Sequence, residues 1–125
     1  MPFATNCPEL CPPSDASPAV GIIFRFVRTS PVSPGDMRSW EDEGRSPGVG
    51  DPCMRCALSV LVDWNDVQQA RATIPVFRKR KVASATLSGV HGRVKQTGNN
   101  AWHHSLWVER ECASSIHCLF GVVES

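Results

Sequence analysis

The distribution of proline is the feature that most restricts how this chain can fold. Nine of its ten prolines lie at or before Pro52, and Pro, Gly, Ser and acidic residues dominate residues 1–19 and 30–51. Proline fixes φ and lacks a backbone donor, so both segments are predicted to be loops or extended arms. We therefore expect an irregular arm over residues 1–19 and a single β-rich domain over residues 20–125, with an acidic Pro/Gly-rich insertion at residues 30–52.

Apolar side chains alternate with other residues in several segments, which is the pattern of β-strands. In residues 20–29, Ile22, Phe24 and Phe26 share one strongly apolar face. Such a period of two predicts a strand with one buried side. Similar patterns predict further strands within residues 56–64, 76–87, 102–108 and 115–123.

A short helix is predicted over residues 66–73, between the strand predicted within residues 56–64 and the one within residues 76–87. Asn65 is a candidate N-cap, and Gln68 follows it at the spacing of a capping box. Pro75 is expected to end the helix because it cannot donate a hydrogen bond and restricts Ile74.

Glycine and asparagine mark the turns between the later strands. Gly89 and Gly92 predict one turn, and residues 98–100, Gly-Asn-Asn, predict another, since both residue types tolerate positive φ. The predicted fold class is α+β and mainly β: a small antiparallel sheet or open barrel of five to six strands, with one short helix and irregular Pro-rich N-terminal arms.

Charge is distributed unevenly along the chain. Residues 1–66 contain five basic and nine acidic side chains, a net charge of −4, whereas residues 67–125 contain eight basic and three acidic ones, a net charge of +5. No acidic residue occurs between Val67 and Val108. This asymmetry indicates either an anion-binding surface on the second half or a solvated face that balances the acidic first half.

The strongest local motif is the basic run, four consecutive cations at residues 78–81. Four adjacent charges cannot be buried unpaired, so they must face solvent or an anion. On a strand they would alternate between its two sides, and nearby cations and an aromatic ring would extend the surface. The predicted function is a non-enzymatic module that binds nucleic acid or another polyanion, with little sequence specificity, through Arg71, Arg78, Lys79, Arg80, Lys81, Arg93, Lys95 and Trp102.

Two alternatives remain open for these features. The basic run is also typical of a solvated sheet edge, where lysine prevents strands of different molecules from pairing. The Pro-rich arms favour a structural or assembly protein, in which they would order against other subunits or further copies of the chain. The chain has no tyrosine but is rich in Pro, Arg, Cys and Trp, a composition that suggests a viral or recently arisen reading frame.

The six cysteines suggest a metal site. Cys53 and Cys56 form a C-x2-C pair, the spacing with which two thiolates bind one zinc ion. Cys112 and Cys118, or Cys7 and Cys11, or His117 in place of either member of a pair, would complete the coordination; the set formed by Cys53, Cys56, Cys112 and Cys118 is the predicted zinc site. A disulfide framework is the alternative that an even cysteine count leaves open.

The N-terminal residues contain no signal-peptide pattern, and the apolar stretch at residues 19–26 is short and interrupted by Arg25. We therefore expect an intracellular protein, cytoplasmic or nuclear, with no membrane partner. His103 and His104 alternate on a predicted strand, so at most one of them can join a given site. No local pattern supplies a nucleophile, a base and an orienting group, and the expectation is that the protein is not an enzyme.

Overall fold

Five antiparallel strands dominate the regular structure in the computed structural model, which describes residues 7–45 and 50–125. They form one sheet in the order β1-β3-β4-β2, with β5 beside β3. The strand bounds are β1 Ser17–Val27, β2 Leu58–Val60, β3 Lys81–Gln96, β4 His104–Val108 and β5 Gly121–Glu124. The prediction of a β-rich antiparallel fold is confirmed. Residues 1–6 of the predicted arm and 46–49 of the predicted insertion lie outside this description.

The sheet curls into a half-barrel around the long central strand β3. One edge of β3 pairs with β1, and its other edge pairs first with β5 and then with β4. Just after β2, Leu61 forms an isolated bridge with Phe24 of β1, with N···O distances of 2.8 and 2.9 Å. Since β1 and β2 are the two end strands of the sheet, this bridge brings its ends together and places β2 beside β1.

Strand β1 contributes side chains from both of its faces to buried clusters. Ile23 and Val27 point into the half-barrel, where they belong to its buried core. Phe24 and Phe26, on the opposite face, pack against a second buried cluster that includes Val67 and Ala70 of the helix Trp64–Thr73. Ile22, predicted to share their buried face, is 55% exposed, so the apolar face expected from the sequence is only partly covered.

The predicted helix exists as α3, Trp64–Thr73, and is longer than expected at its N-terminus. Asp63 is its N-cap, because the Asp63 side chain accepts a hydrogen bond from the backbone nitrogen of Asp66 at 2.8 Å. The cap is therefore two residues before the predicted Asn65. Val67 and Ala70 are fully buried and anchor the helix to the sheet.

The structure contains more short helical segments than the single helix that was predicted. Three further α-helices have four residues each: α1 Trp40–Glu43, α2 Pro52–Arg55 and α4 Arg110–Ala113. Three 3-10 turns lie at Pro34–Met37, Pro75–Lys79 and Ile116–Leu119. The Pro-rich segments are thus partly regular within the described residues. In that part of the chain, no helix is long and apolar enough to cross a membrane.

Two sequence predictions are wrong because regular structure begins or ends elsewhere. Gly89 and Gly92 do not form a turn but lie inside β3, which continues past a register shift in its pairing with β1. Gly89 has φ +96°, so it accommodates the irregularity without reversing the chain. The 3-10 turns at Pro75–Lys79 and Ile116–Leu119 replace the first parts of two predicted strands.

A separate small core surrounds Trp107 on β4. This side chain is fully buried and packs with Cys11, Cys56 and Ala57. Its indole Nε1 donates a hydrogen bond to the carbonyl oxygen of Cys53 at 2.8 Å. The ring of Trp107 on β4 therefore contacts both the N-terminal segment, at Cys11, and the segment just before β2, at Cys53, Cys56 and Ala57.

Replacing Trp107 by Phe is expected to lower the free energy of unfolding by about 2 kcal/mol, because the change removes both buried volume and the hydrogen bond to Cys53. Urea denaturation followed by circular dichroism measures the loss. Trp40→Phe is the matched control, since Trp40 is 48% exposed, and a change under about 0.5 kcal/mol is expected there. Equal losses in the two variants would contradict the assignment of Trp107 to a core.

Candidate functional site

The predicted basic surface is not a continuous strip in the structure. Arg71, on α3, forms an ion pair with Glu124 and lies over the rings of Phe26 and Trp64 at 5.9 and 5.8 Å. Its charge is thus neutralised within the chain. Arg71 joins the helix to β5 and to the outer face of β1.

Two further predicted cations bind the N-terminal segment instead of facing an external ligand. Arg93 donates from Nη1 to the carbonyl oxygen of Ala16 at 3.0 Å. Lys95 forms an ion pair with Asp15 at 2.8 Å, and its hydrogen bond holds the pKa of that carboxyl below the usual value. Both interactions attach the residues before β1 to β3.

The basic run does not lie on a strand as predicted. Arg78 and Lys79 belong to the 3-10 turn, and Lys81 begins β3 opposite Val27. Arg78 donates from Nε to the carbonyl oxygen of Arg71 at 3.0 Å. Arg80, the third cation of the run, lines a cleft between the sheet and the segment that follows β1.

Trp102 does not provide the open stacking surface that was expected. It is 7% exposed and belongs to the buried cluster beneath α3. The ring of Phe77 meets it edge to face, with centroids 6.4 Å apart. Trp102 is therefore a largely buried part of one wall of the same cleft and not an open ring face.

The predicted zinc ligands are not brought together. Cys53 and Cys56 form disulfides with Cys11 and Cys7, respectively. Cys112 and Cys118 are free thiols outside that cluster, at α4 and at the following 3-10 turn. Among the described residues, no three side chains of His, Cys, Asp or Glu are placed to hold a metal ion.

A cleft of about 810 Å³ opens where the segment after β1 crosses in front of β2 and the 3-10 turn at Pro75–Lys79. Five arginines and two carboxylates are among its lining residues, a formal charge of five minus two, or +3. These charged residues are Arg25, Arg28, Arg38, Arg45, Arg80, Asp36 and Glu43. Four of the five arginines come from the half of the sequence that is acidic overall.

Asp36 organises the segment that forms the rim of the cleft. Its carboxylate accepts hydrogen bonds from the backbone nitrogens of Arg28 (2.8 Å) and Ser33 (3.1 Å) and from the hydroxyls of Thr29 and Ser33. Burial acts to raise the pKa of Asp36, but these hydrogen bonds outweigh it and hold the pKa below the usual value. Asp36 is therefore charged at neutral pH, and its charge is used within the rim.

Arg25 anchors the rim to the sheet. Its guanidinium donates to the carbonyl oxygens of Asp36 (2.8 Å), Ser59 (2.7 Å) and Arg38 (3.3 Å). Burial lowers the pKa of Arg25 to about 10, and the charges of Asp36 and Glu43 oppose that shift, so the group stays protonated at neutral pH. No carboxylate of the described residues lies within ion-pair distance of it.

The remaining arginines of the cleft differ in their partners. Arg45 interacts with Glu43 at 3.7 Å and lies over the ring of Trp40 at 4.9 Å. Arg28 and Arg38 are exposed and Arg80 is half-buried. In the described part of the chain, none of the last three forms an ion pair. Their positive charge is available to an external anion.

Aromatic rings form the wall of the cleft next to Arg80. The rings of Phe26 and Phe77 stack with centroids 4.4 Å apart and planes 7° from parallel. Beside them, His103 lies 6.0 Å from Trp102. This apolar wall lowers the local dielectric constant and so strengthens the field of the nearby arginines.

The polar end of the same wall carries a serine and a histidine. Ser59 Oγ lies 3.1 Å from His103 Nε2, and Nδ1 of His103 lies 3.2 Å from the carbonyl oxygen of Thr97. Burial lowers the pKa of His103, the hydrogen bond to Thr97 opposes the shift, and the nearby His104 adds to it. The net shift is downward, so the imidazole is neutral at neutral pH.

Sequence reasoning missed the arginines of the first half because they were counted against nine acidic residues. One signal was present: all five basic residues in positions 1–66 are arginine, at 25, 28, 38, 45 and 55. Arginine binds anions through a planar fork of donors and keeps its charge when buried. The exclusive use of arginine among the cations of the first half is a signal that its net charge of −4 conceals.

The fold and the cleft together define a β-rich half-barrel protein with an arginine-lined groove between its sheet and its Pro-rich segment. No protein-family model, curated protein or solved structure matches this chain.

Proposed function

We propose that the arginine-lined cleft binds a polyanion, and that its ligand is single-stranded nucleic acid. The observation that carries the proposal is the set of three cleft arginines, Arg28, Arg38 and Arg80, that form no ion pair with the described residues. Unpaired guanidinium groups along an apolar wall attract phosphates, because each group offers a fork of donors that matches two phosphate oxygens.

The dimensions of the cleft favour a single strand over a duplex. Its volume of about 810 Å³ lies in the usual range of small-molecule sites, roughly 300–1,000 Å³. Trp40, on the rim, is 48% exposed and offers a ring face to an unstacked base. Phosphate contacts would provide most of the affinity, so binding would depend steeply on salt and little on sequence.

The experiment compares two double variants that remove equal charge from neighbouring positions. Arg38→Gln with Arg80→Gln removes two unpaired cleft cations, whereas Lys79→Gln with Lys81→Gln removes two cations of the basic run outside the cleft. We expect the cleft variant to bind a short oligothymidine about tenfold more weakly, and its log–log salt slope to fall by about 1.4, or roughly 0.7 for each lost contact. Fluorescence anisotropy between about 50 and 200 mM salt measures both quantities.

The control variant is expected to stay within about threefold of the parent, since it lowers only the long-range field. Since Arg80 belongs to both the cleft and the basic run, a loss in the Lys79/Lys81 variant as large as that in the Arg38/Arg80 variant would contradict binding in the cleft. No binding by the parent protein at low salt would refute the proposal.

A second candidate, an assembly protein, is favoured by exposed apolar side chains on the β1–β3 pair. Val20, Ile22 and Val90 are 69%, 55% and 70% exposed. Contact with further copies or other subunits would cover them. This candidate predicts elution of the purified protein as an oligomer at low and high salt alike, whereas the cleft proposal requires no self-association.

A further inference from the structure

A serine and a histidine that are distant in sequence meet in the cleft. Ser59 is the central residue of β2, and His103 immediately precedes β4, which pairs with β2. Ser59 Oγ and His103 Nε2 are 3.1 Å apart, within hydrogen-bonding distance, and both residues line the cleft. Ser59 is exposed, so a molecule that enters the cleft can reach its hydroxyl.

A third group fixes which nitrogen of His103 carries the proton. Nδ1 lies 3.2 Å from the carbonyl oxygen of Thr97 and 3.1 Å from the Thr97 hydroxyl. Because a carbonyl oxygen can only accept a hydrogen bond, Nδ1 carries the proton and Nε2 presents its lone pair to Ser59. The Thr97 hydroxyl is itself held by Ser105 at 2.8 Å.

The backbone of Ser59 is held by a hydrogen bond from Arg25 and by strand pairing. The backbone carbonyl of Ser59 accepts a hydrogen bond from Nη1 of Arg25 at 2.7 Å. Strand β2 pairs residue by residue with β4, which places Ser59 opposite Ser105. A nucleophile, a base and an orienting acceptor thus have the relationship that activates serine for covalent catalysis.

We propose that Ser59 is a nucleophile that activated carboxylic esters acylate in the cleft, with His103 as its general base. Ser59 Oγ bonds to the ester carbonyl carbon while its proton passes to Nε2 of His103. The bond from that carbon to the leaving oxygen breaks, and the leaving group takes the proton from His103 as an alcohol or phenol. Water then attacks the acyl carbon and gives a proton to His103; the carboxylic acid departs and Ser59 regains its proton.

This inference goes beyond the proposed binding function and does not depend on it. Acylation uses Ser59, His103 and Thr97, but none of the three unpaired arginines. Oligonucleotide binding can therefore fail while acylation succeeds, and the reverse.

The test uses the full chain with Cys112→Ser and Cys118→Ser, since free thiols also react with activated esters. This protein is mixed with 4-nitrophenyl acetate, release of nitrophenolate is followed, and the acetylated residue is located by mass spectrometry. We expect one acetyl group on Ser59 and a loss of rate of about a hundredfold in Ser59→Ala and in His103→Gln. His104→Gln is the matched control and should retain the rate.

The pH profile separates general-base catalysis from simple surface reactivity. Since the pKa of His103 lies below its usual 6.5, the neutral imidazole is already present at pH 7. The rate should therefore rise with pH, reach half its plateau below pH 6.5, and then level off. An acetyl group found only on lysines or the N-terminus, or an unchanged rate in Ser59→Ala, would refute the proposal. If Ser59→Ala or His103→Gln does not fold, the site of acetylation in the protein that carries only Cys112→Ser and Cys118→Ser still tests whether Ser59 is the nucleophile.

Discussion

Replacing Cys7, Cys11, Cys53 and Cys56 by serine is expected to lower the free energy of unfolding by about 5 kcal/mol. The two disulfides close chain segments with sequence separations of 49 and 42 residues. Long closed loops restrict the unfolded chain most strongly, so either bond alone provides most of the available stabilisation. A loss of this size is comparable to the whole stability of a small domain, and the variant is expected to be largely unfolded.

Removing only one of these disulfides should have a much smaller effect. Once Cys11–Cys53 is closed, the segment that Cys7–Cys56 still constrains is only a few residues long, so its loss is expected to cost about 2 kcal/mol. The two single losses should therefore sum to less than the loss in the fourfold variant. Guanidinium denaturation with and without a reductant measures each step, and Cys118→Ser, at an exposed free thiol, is the control.

Thiol titration of the folded protein provides an independent check of the cysteine pairing. Of six cysteines in the sequence, four are paired and two are free, so a thiol reagent should modify two sulfurs before unfolding and no more after it. Six reactive thiols in freshly purified protein would show that the disulfides do not form. Insensitivity of the unfolding transition to reductant would contradict their role in stability.

Elements determined by neighbouring residues could be predicted from the sequence. The alternation in residues 20–29 identified β1, Ser17–Val27, because strand periodicity is local. The turn at residues 98–100 was also predicted, and Gly98 has φ +77° there. Helix α3 was located to within two residues for the same reason: its cap and its terminating proline are adjacent to it.

The cleft could not be predicted because its residues come from distant parts of the chain. Arg38 and Arg80 line the same cavity only because the segment after β1 folds back across the sheet, held by Asp36 and Arg25. Similarly, Ser59 and His103 are 44 residues apart and meet through the pairing of β2 with β4. Local periodicity contains no information about such pairing, which depends on packing of the whole sheet.

Gly92, in β3, is the position where the fold tolerates a side chain least. It pairs with Val108 of β4. A Cβ atom added to Gly92 would lie 2.2 Å from the carbonyl oxygen of Trp107, 3.1 Å from its carbonyl carbon and 3.2 Å from the Cα of Val108. These are backbone atoms, so no side-chain rotation can relieve the overlap, and β3 must separate from β4 to accommodate even a methyl group.

Gly92→Ala is therefore expected to lower the free energy of unfolding by about 3 kcal/mol or more, close to the upper end of single substitutions. Gly121→Ala is the matched control at another strand glycine, since nothing lies within 4 Å of a Cβ added there and its φ is not positive. We expect the control to change stability by less than about 0.5 kcal/mol. Urea denaturation measures both variants, and hydrogen exchange at the β3–β4 pairs locates the change.

Because β4 is preceded by His103 and carries the pairing that positions Ser59, opening the β3–β4 interface in Gly92→Ala should also weaken the acylation of Ser59. Equal stability of the two alanine variants would mean that β3 and β4 do not approach each other as closely as the register of Gly92 and Val108 requires.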